Sequence, residues 1–300
     1  MTRKCRITDR KEGSFHHCVC FRIDVDDVLA DRYVLKIPAH GTDEHWQEGD
    51  AFMLRNEATL IQHTRHHTKC PVPEVIAFDA TLDNAIGAPY ILMKKLKGMS
   101  ASDMWQGLML PNPPKYDKEY MNADEPHPVL EALRVNILKS LASAMVQLQT
   151  LEFDSIGIPV LDRPEDAQPS SIGPAWRWHS KLMMQKLNPI GPFKSSKEFF
   201  DAGLVASWNE NVIVSEDRMR DYVAGLAGTE KLLKIILDSP PFATFKESLS
   251  FSFSNQKLER KPFVLRHDDL DLQNIMVDDD GNLTGIIDWD GCMTVPRCVD

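Results

Sequence analysis

The chain is short of positive charge and of long apolar runs. Its 34 lysines and arginines are outnumbered by 44 aspartates and glutamates, which gives the 300 residues a formal net charge of −10. Nucleic-acid phosphates require basic patches, so this balance argues against a nucleic-acid partner. No stretch is apolar enough to span a bilayer, and the basic first residues lack the apolar segment of a secretory signal. We therefore expect a cytoplasmic protein without a membrane partner.

Cysteine is also scarce, and it follows no metal-binding pattern. The chain has no repeated C-x-x-C motif, so we expect reduced thiols rather than a zinc site or a disulfide framework. The rest of the composition is ordinary for a globular protein, with 43% hydrophobic and 26% charged residues. A chain of 300 residues is long enough for two lobes with substantial cores. The six cysteines are Cys5, Cys18, Cys20, Cys70, Cys292 and Cys298.

The first hundred residues predict a small sheet with one helix packed on it. β-prone runs occur at 16–23, 32–37, 74–78 and 89–93. Between the second and third of these, apolar residues at helical spacing predict a helix over 51–69, which ends before Pro71. The region after residue 98 has a different pattern, with a long amphipathic helix predicted at 129–151. Shorter helices are predicted at 197–208 and 216–238.

The most informative segment lies near the C-terminus, where two apolar runs flank an Asp-Gly turn. This pattern predicts a β-hairpin, whose antiparallel strands bring the residue that enters it next to the residue that leaves it. Asn274 enters and Asp288 leaves. Both offer the oxygen ligands that Mg²⁺ prefers, and Asp269 lies just upstream, after the apolar run 263–265. The spacing therefore predicts a magnesium site beside a free carboxylate.

The same segment resembles the aminoglycoside phosphotransferase family of small-molecule kinases, in particular its fungal branch. That family has the motifs H-G-D-x-x-x-x-N and I-D-W/F-E/D, and the chain has His267 to Asn274 and Ile287-Asp288-Trp289-Asp290 at the same spacing. Asp268 stands in place of the usual glycine, and Asp271 in place of a frequent histidine. The resemblance implies a two-lobed α+β protein-kinase-like fold. Its N-terminal lobe is small and β-rich, and its C-terminal lobe is mainly helical.

The resemblance also implies how the chain divides into lobes, what the site residues do and which cofactors they bind. Residues 1–97 would form the nucleotide-binding lobe, and 98–300 the catalytic and substrate lobe. Asp269 would be the catalytic residue that orients the acceptor hydroxyl, and Asn274 and Asp288 would hold Mg²⁺ against the phosphates of ATP. Because the family continues into further C-terminal helices, we expect the chain to be truncated. The acceptor would be a small molecule with a hydroxyl group, such as an aminoglycoside, a choline-like amine or a sugar.

The N-terminal lobe offers candidates for the nucleotide site in the order that the resemblance implies. Lys36 lies in an apolar strand, and Glu57 lies in the helix that follows. Kinase-like folds pair a strand lysine with a helix glutamate, which fixes the lysine on the α- and β-phosphates. Gly13 and Ser14 form a tight turn, expected before the first strand, whose N–H groups could approach phosphate. Backbone groups near Lys94 and Leu96 would bind adenine.

Three alternatives remain open. His267-Asp268 could belong to a metal-dependent phosphohydrolase, although that site needs further ligands at helical spacing. A catalytically silent nucleotide-binding or scaffold protein could share the fold. Protein-kinase activity is disfavoured, because the motif lacks the arginine of H-R-D and no A-P-E segment follows.

A histidine-rich group near residue 65 could be read as a metal cluster. It lies at the end of the predicted helix, where imidazoles suit the helix dipole, and the sequence favours that simpler interpretation. The group comprises His63, His66, His67 and Cys70.

Overall fold

The N-terminal part is a five-stranded antiparallel sheet with one helix packed on it. The computed structural model describes residues 3–25, 31–109, 128–175, 189–196, 198–199, 202 and 262–297. The strands follow the order β1-β2-β3-β5-β4, so β3 is the central strand and lies between β2 and β5. The elements are β1 Arg3–Glu12, β2 His16–Val25, β3 Arg32–Pro38, α1 Glu48–His67, β4 Val75–Asp79 and β5 Tyr90–Lys94.

Strand β1 is the one element of this sheet that the sequence pattern does not predict. Its side chains are exposed along most of its length, and its sequence is dominated by charged residues rather than by an alternating apolar pattern. It pairs antiparallel with β2, with Cys5 opposite Ile23 and Ile7 opposite Phe21. Charged side chains are typical of edge strands, since they discourage pairing with another chain. The strand therefore owes its conformation to pairing with β2 rather than to its own hydrophobic pattern.

Helix α1 is stabilised by charged residues at both of its ends as well as by its apolar face. Asp50 accepts a hydrogen bond from the N–H of Gln47 at 2.9 Å, and the last turn carries three basic residues. Acidic groups at the start and basic groups at the end both suit the helix dipole. The inward face contributes Leu54, Ala58 and Ile61 to the main core.

The rest of the described chain is built mainly from short strands, two α-helices and a 3₁₀ helix at Leu272–Asn274. The elements are β6 Met99–Ser100, α2 Ala101–Trp105, α3 Pro128–Leu148, β7 Glu152–Phe153, β8 Ile158–Val160, β9 Ser171–Gly173, β10 Phe263–Arg266, β11 Ile275–Val277, β12 Leu283–Ile286 and β13 Met293–Val295. They form two three-stranded sheets, β13-β10-β7 and β12-β11-β6, and the two-stranded sheet β8-β9. Most of the helices predicted at 197–208 and 216–238 lie outside the described residues. The predicted α+β class and the β-rich N-terminal part are confirmed.

The predicted hairpin near the C-terminus is confirmed as β11 and β12. Ile275 pairs with Ile286, and the N–H of Ile287 donates to the carbonyl of Asn274 at 2.9 Å. The turn is closed by Asp278, whose carboxylate accepts hydrogen bonds from the N–H groups of Asp280 and Asn282. The hairpin thus places the residues before β11 and after β12 side by side.

One core joins the N-terminal sheet to the hairpin. Ile61 of α1, Ile91 of β5, Ile286 of β12 and Trp289 belong to the same buried cluster. The main chain of Ile286 also donates to the carbonyl of Pro71, just after α1. Within the described residues, none of the helices combines the length and the apolar content that a membrane span requires.

Candidate active site

A lysine on β3 lies at the centre of the site, between two carboxylates. The ammonium group of Lys36 donates to Glu57 Oε1 at 2.6 Å and to Asp288 Oδ1 at 2.7 Å. Lys36 and Glu57 are both buried, whereas the side chain of Asp288 is 38% exposed. Burial acts to lower the pKa of Lys36, but the two carboxylates outweigh it and leave the pKa raised. Lys36 therefore remains a cation although it is buried, and its hydrogen bond to the partly exposed Asp288 connects it to the surface of the cleft.

The structure thus places Lys36 and Glu57 in contact, as the order of the elements led us to expect. It also shows a contact that the sequence did not reveal, because 252 residues separate Lys36 from Asp288. Burial raises the pKa of Glu57 to about 7, against the opposing effect of the Lys36 ammonium. For Asp288, burial acts to raise the pKa, but Lys36 reverses that effect and the pKa is lowered. Asp288 is accordingly ionised.

Asp288 has an unusual backbone conformation. Its φ angle is 64°, in the left-handed region, and it is the one non-glycine residue there in the described chain. Such a conformation is costly for most residues and persists where the surroundings enforce it. The next residue, Trp289, is fully buried, and its indole N–H donates to the carbonyl of Ile286 at 2.9 Å. Anchoring of Trp289 under the hairpin holds Asp288 in the conformation that points its side chain to Lys36.

Asn274 orients Asp269. The amide Nδ2 of Asn274 donates to both the main-chain oxygen and the Oδ2 of Asp269, each at 2.9 Å. Asn274 is buried, whereas Asp269 is exposed. Since the main chain of Asn274 is hydrogen-bonded to Ile287, the neighbour of Asp288, the structure brings Asp269, Asn274 and Asp288 together. The exposed carboxylate is therefore held in place and remains accessible.

His267 braces this arrangement, a role that the sequence analysis did not assign. Its Nε2 lies 3.0 Å from the carbonyl oxygen of Ile287, so this nitrogen donates the hydrogen bond. The ring packs edge-on against Trp289, with centroids 5.0 Å apart. Burial lowers the pKa of His267, which keeps the ring neutral. The first residue of the motif thus positions the main chain at Ile287, next to Asp288.

Two further groups face Lys36 and were also missed. The carboxylate of Asp290 lies 3.9 Å from Nε2 of His16 on β2, and burial raises the pKa of Asp290. Burial also lowers the pKa of His16 to about 3, with Lys36 acting in the same direction. Both residues line the pocket that contains Lys36 and Glu57. In the sequence, Asp290 was visible only as the last residue of a motif, and His16 only as the first residue of a predicted strand.

Gly13 and Ser14 lie in the turn between β1 and β2. The expectation that this turn precedes the first strand is wrong, because β1 comes before it. The N–H of Gly13 donates to the carbonyl of His16 at 2.8 Å. That hydrogen bond uses the Gly13 N–H within the turn itself, so it is not available to a ligand in this conformation.

Lys94 and Leu96 lie at the end of β5 and just beyond it. Lys94 pairs with Tyr33 on β3, three residues along the strand from Lys36. Its N–H donates to the carbonyl of Glu74 at 2.9 Å, and its side chain forms an ion pair with Glu74 at 3.1 Å. Leu96 packs against Gly285 of β12, where a side chain would collide with it. The segment after β5 is therefore fixed to the hairpin.

The oxygen atoms around Asp288 suit a hard divalent cation. The Nδ2 of Asn274 is used by Asp269, which leaves its Oδ1 as the end that can face a cation. The described residues contain no cluster of three or more His, Cys, Asp or Glu side chains suited to a metal. A set of one carboxylate and one amide oxygen fits Mg²⁺, which is commonly held by one or two protein ligands together with substrate phosphates.

Comparison with known proteins agrees with this chemistry. Residues 209–300 match the family model described as "Phosphotransferase enzyme family" (APH), a range that includes Asp269, Asn274 and Asp288. The match confirms the family resemblance.

Curated relatives are fungal. The chain is 22% identical over 332 residues to "Altered inheritance of mitochondria protein 9, mitochondrial" of Candida glabrata. This alignment covers 95% of this chain and 48% of that protein. A "Subtelomeric hrmA-associated cluster protein" of Aspergillus fumigatus is 42% identical over 57 residues, which is 19% of this chain and 11% of that protein. The chain thus spans about half the length of the first relative and much less of the second.

The chain is also similar to solved structures of phosphotransferases. One is a thermostable mutant of aminoglycoside phosphotransferase APH(4)-Ia in a ternary complex with ADP and hygromycin B. It is 18% identical, with 96% of this chain and 68% of that chain covered and a TM-score of 0.47. Another is macrolide 2'-phosphotransferase type I, 14% identical, with 99% and 70% covered and a TM-score of 0.46.

Proposed function

We propose that this chain is an ATP-dependent phosphotransferase that moves the γ-phosphate of Mg-ATP to a hydroxyl group of a small molecule. The observation that supports it most is the position of Lys36. Its ammonium group lies between Glu57 of α1 and Asp288, which follows β12. Asn274, just before β11 of the same hairpin, holds the carboxylate of Asp269. The match of residues 209–300 to the phosphotransferase family supports the same activity.

The nucleotide end of the site would be held by charge. Lys36, braced by Glu57, binds the α- and β-phosphates, and Asn274 and Asp288 hold the magnesium ion of Mg-ATP. Bound Mg²⁺ neutralises the charge of the phosphate oxygens during transfer. To reach the nucleotide, the ammonium group of Lys36 must weaken its hydrogen bond to Asp288. Its hydrogen bond to Glu57 keeps it in the cleft during this change. Positioning and charge neutralisation then supply most of the rate.

Asp269 would serve the acceptor. Its carboxylate takes the proton of the acceptor hydroxyl as that oxygen forms a bond to the γ-phosphorus. The bond between the γ-phosphorus and the β–γ bridging oxygen breaks, and ADP leaves with the electron pair. Asn274 keeps Asp269 aimed at the acceptor through its two hydrogen bonds. An aminoglycoside, a choline-like amine or a sugar would fit this chemistry.

Adenine would be read by main-chain groups near Lys94 and Leu96. Because Gly13 uses its N–H within its turn, Ser14 is the better candidate for a main-chain contact to phosphate. In this proposal residues 1–97 form the nucleotide-binding lobe and 98–300 the catalytic and substrate lobe, in a cytoplasmic enzyme.

Transfer of radiolabelled γ-phosphate tests the proposal. The purified chain is incubated with ATP and Mg²⁺ and with a panel of amino-sugars, choline-like amines and sugars, and labelled products are separated. We expect a labelled product from at least one acceptor, which disappears when EDTA removes Mg²⁺. Nucleotide binding without any phosphate release or transfer, by contrast, would favour a silent nucleotide-binding or scaffold protein.

A further inference from the structure

Lys36 and the magnesium ion of the proposed function require the same carboxylate. The ammonium nitrogen of Lys36 lies 2.7 Å from Oδ1 of Asp288, the carboxylate proposed to bind Mg²⁺. Mg²⁺ binds oxygen ligands at about 2.0–2.1 Å, so an ion on this oxygen would lie no more than about 5 Å from the ammonium nitrogen. Two cations at such a separation repel each other. Lys36 and a divalent cation therefore compete for Asp288.

Both partners of this ion pair are held in place by other contacts. Lys36 and Glu57 have buried side chains and share a 2.6 Å hydrogen bond. Moving the ammonium group into solvent would leave the buried carboxylate of Glu57 without its partner, which is costly. Asp288 is held by its neighbour Trp289, which is fully buried and hydrogen-bonded to the carbonyl of Ile286. The ion pair therefore persists unless another anion binds Lys36.

The second proposed metal ligand adds no charge that could offset this repulsion. Asn274 offers a neutral amide oxygen, since its Nδ2 donates to Asp269. Across the described ranges, no group of three or more His, Cys, Asp or Glu side chains is placed to hold a metal. Asp288 is thus the one charged ligand of the proposed metal site, and Lys36 offsets its charge. The phosphates of a nucleotide have to supply the remaining negative charge.

We propose that Lys36 makes metal binding at Asp288 depend on the nucleotide, because its ammonium group opposes a divalent cation there until phosphate oxygens bind the ammonium group instead. This inference rests on the proposed function, in which Lys36 binds the α- and β-phosphates. The phosphates replace Asp288 as a partner of Lys36, while Glu57 remains its other partner. Asp288 is then free to bind the ion. By thermodynamic linkage, the nucleotide and the metal ion each increase the affinity for the other.

Electron paramagnetic resonance of Mn²⁺, the probe used in place of Mg²⁺, measures metal binding to the full chain without nucleotide. Lys36→Met/Glu57→Gln removes the buried pair together, so no unpaired buried charge remains. We expect this double variant to bind Mn²⁺ at least about tenfold more tightly than the wild type, and the gain to disappear when Asp288→Asn is added. Arg163→Met/Asp166→Asn removes an exposed ion pair and is the matched control, with unchanged affinity. No gain in the double variant, or a gain that survives Asp288→Asn, would overturn the proposal.

Paramagnetic broadening in the wild-type chain gives a readout that does not depend on a variant folding. Bound Mn²⁺ broadens the NMR signals of nearby main-chain N–H groups, so those of Ile287 and Trp289 report on an ion at Asp288. We expect both signals to persist with equimolar Mn²⁺ alone and to vanish when AMP-PNP is added. Loss of the signals with Mn²⁺ alone would contradict this inference and leave the proposed phosphotransfer intact. Signals that persist with Mn²⁺ and AMP-PNP together would contradict the proposed metal–nucleotide site, and this inference with it.

Discussion

Two carboxylates of the candidate site lie in opposite environments. Asp288 is tied to a buried lysine through a 2.7 Å hydrogen bond, whereas Asp269 is exposed and accepts only from the amide of Asn274 among the hydrogen bonds of its side chain in the described residues. An ionised carboxylate beside a lysine suits a metal–phosphate site, because the carboxylate can bind the metal ion and the lysine can bind the phosphates. A free but oriented carboxylate suits proton transfer. The difference in surroundings is therefore what separates the two proposed roles.

Replacement of Asp269 should affect turnover and spare nucleotide binding. Asp269→Ala removes the proton acceptor, so we expect kcat to fall by roughly 10²–10⁴-fold, a range typical of general-base catalysis. Mg-ATP affinity should stay within about twofold, because its proposed ligands are intact. Steady-state kinetics and calorimetry measure the two quantities. Asp279→Ala, in the exposed hairpin turn, removes the same charge and should change neither; a fall in Mg-ATP affinity for Asp269→Ala would contradict the role of Asp269.

Replacement of Asp288 should affect nucleotide binding itself. Asp288→Ala should abolish Mg-ATP binding, but it also places alanine at a φ of 64°. Asp288→Asn is the sharper variant, because asparagine tolerates the left-handed region and keeps the shape of the side chain. We expect its Mg-ATP affinity to fall at least about 100-fold, more than the loss typical of outer-shell changes at metal sites. Unchanged affinity, measured by calorimetry beside Asp279→Asn, would show that the metal assignment is wrong.

At the scale of elements, the hairpin β11–β12 depends on the segment that follows β5. Gly98 has a φ of 94°, and a side chain there would lie 1.9 Å from the carbonyl oxygen of Val277 on β11. Thr284 of β12 also donates to the carbonyl of Lys97 at 2.6 Å. These contacts fix the hairpin, and with it Asn274 and Asp288, to the end of the N-terminal sheet.

Substitution of Gly98 should therefore loosen the whole hairpin. We expect Gly98→Ala to lower the free energy of unfolding by roughly 3 kcal/mol, from backbone strain and from the collision with β11. Gly87→Ala is the matched control: Gly87 has a φ of 64°, but a side chain there would meet nothing within 4 Å. It should cost only about 1–2 kcal/mol. Urea denaturation measures both, and equal losses would show that the approach to Val277 does not matter.

At the scale of the whole molecule, packing keeps several imidazoles neutral. Burial lowers the pKa of His16 to about 3, and it also lowers the pKa of His63 and of His267. In the unfolded chain these groups bind protons below a pH of about 6.5. The folded chain does not bind them until the pH is much lower. Their contribution to stability is thus fully present above pH 6.5 and is lost as the pH falls.

Acid should therefore destabilise the fold, with a slope that His16 helps to set. Each proton bound only by the unfolded chain lowers the free energy of unfolding by about 1.4 kcal/mol per pH unit. Glu57, with its pKa raised to about 7, and Asp290, whose pKa burial also raises, oppose this trend above their ordinary pKa values, but the three imidazoles outnumber them. We expect His16→Gln to reduce the slope between pH 6 and 4 by about 1 kcal/mol per unit in urea denaturation. The exposed His17→Gln should leave the slope unchanged, and a shared slope for both variants would contradict the buried, neutral state of His16.

Some elements could be predicted from the sequence and others could not, for a physical reason. Strand β3 and helices α1 and α3 were predicted, because their apolar residues recur at the spacing of one buried face. Strand β1 was not, because its pairing with β2 leaves its charged side chains in solvent and imposes no apolar pattern. The candidate site shows the same division: Asn274 and Asp288 could be brought together from a short hairpin, whereas no local pattern indicates that Asp290 and His16 face Lys36.

The sequence by itself determined the features that depend on near neighbours. An Asp-Gly turn between two apolar runs predicts the hairpin and places Asn274, just before β11, next to the residues that follow β12. Only the tertiary structure decided the state of the groups that depend on distant ones: Lys36 bound to a carboxylate 252 residues away, His267 neutral under Trp289, and His63 tied to Pro164. Charge and protonation follow burial, and burial comes from contacts between segments that are far apart along the chain.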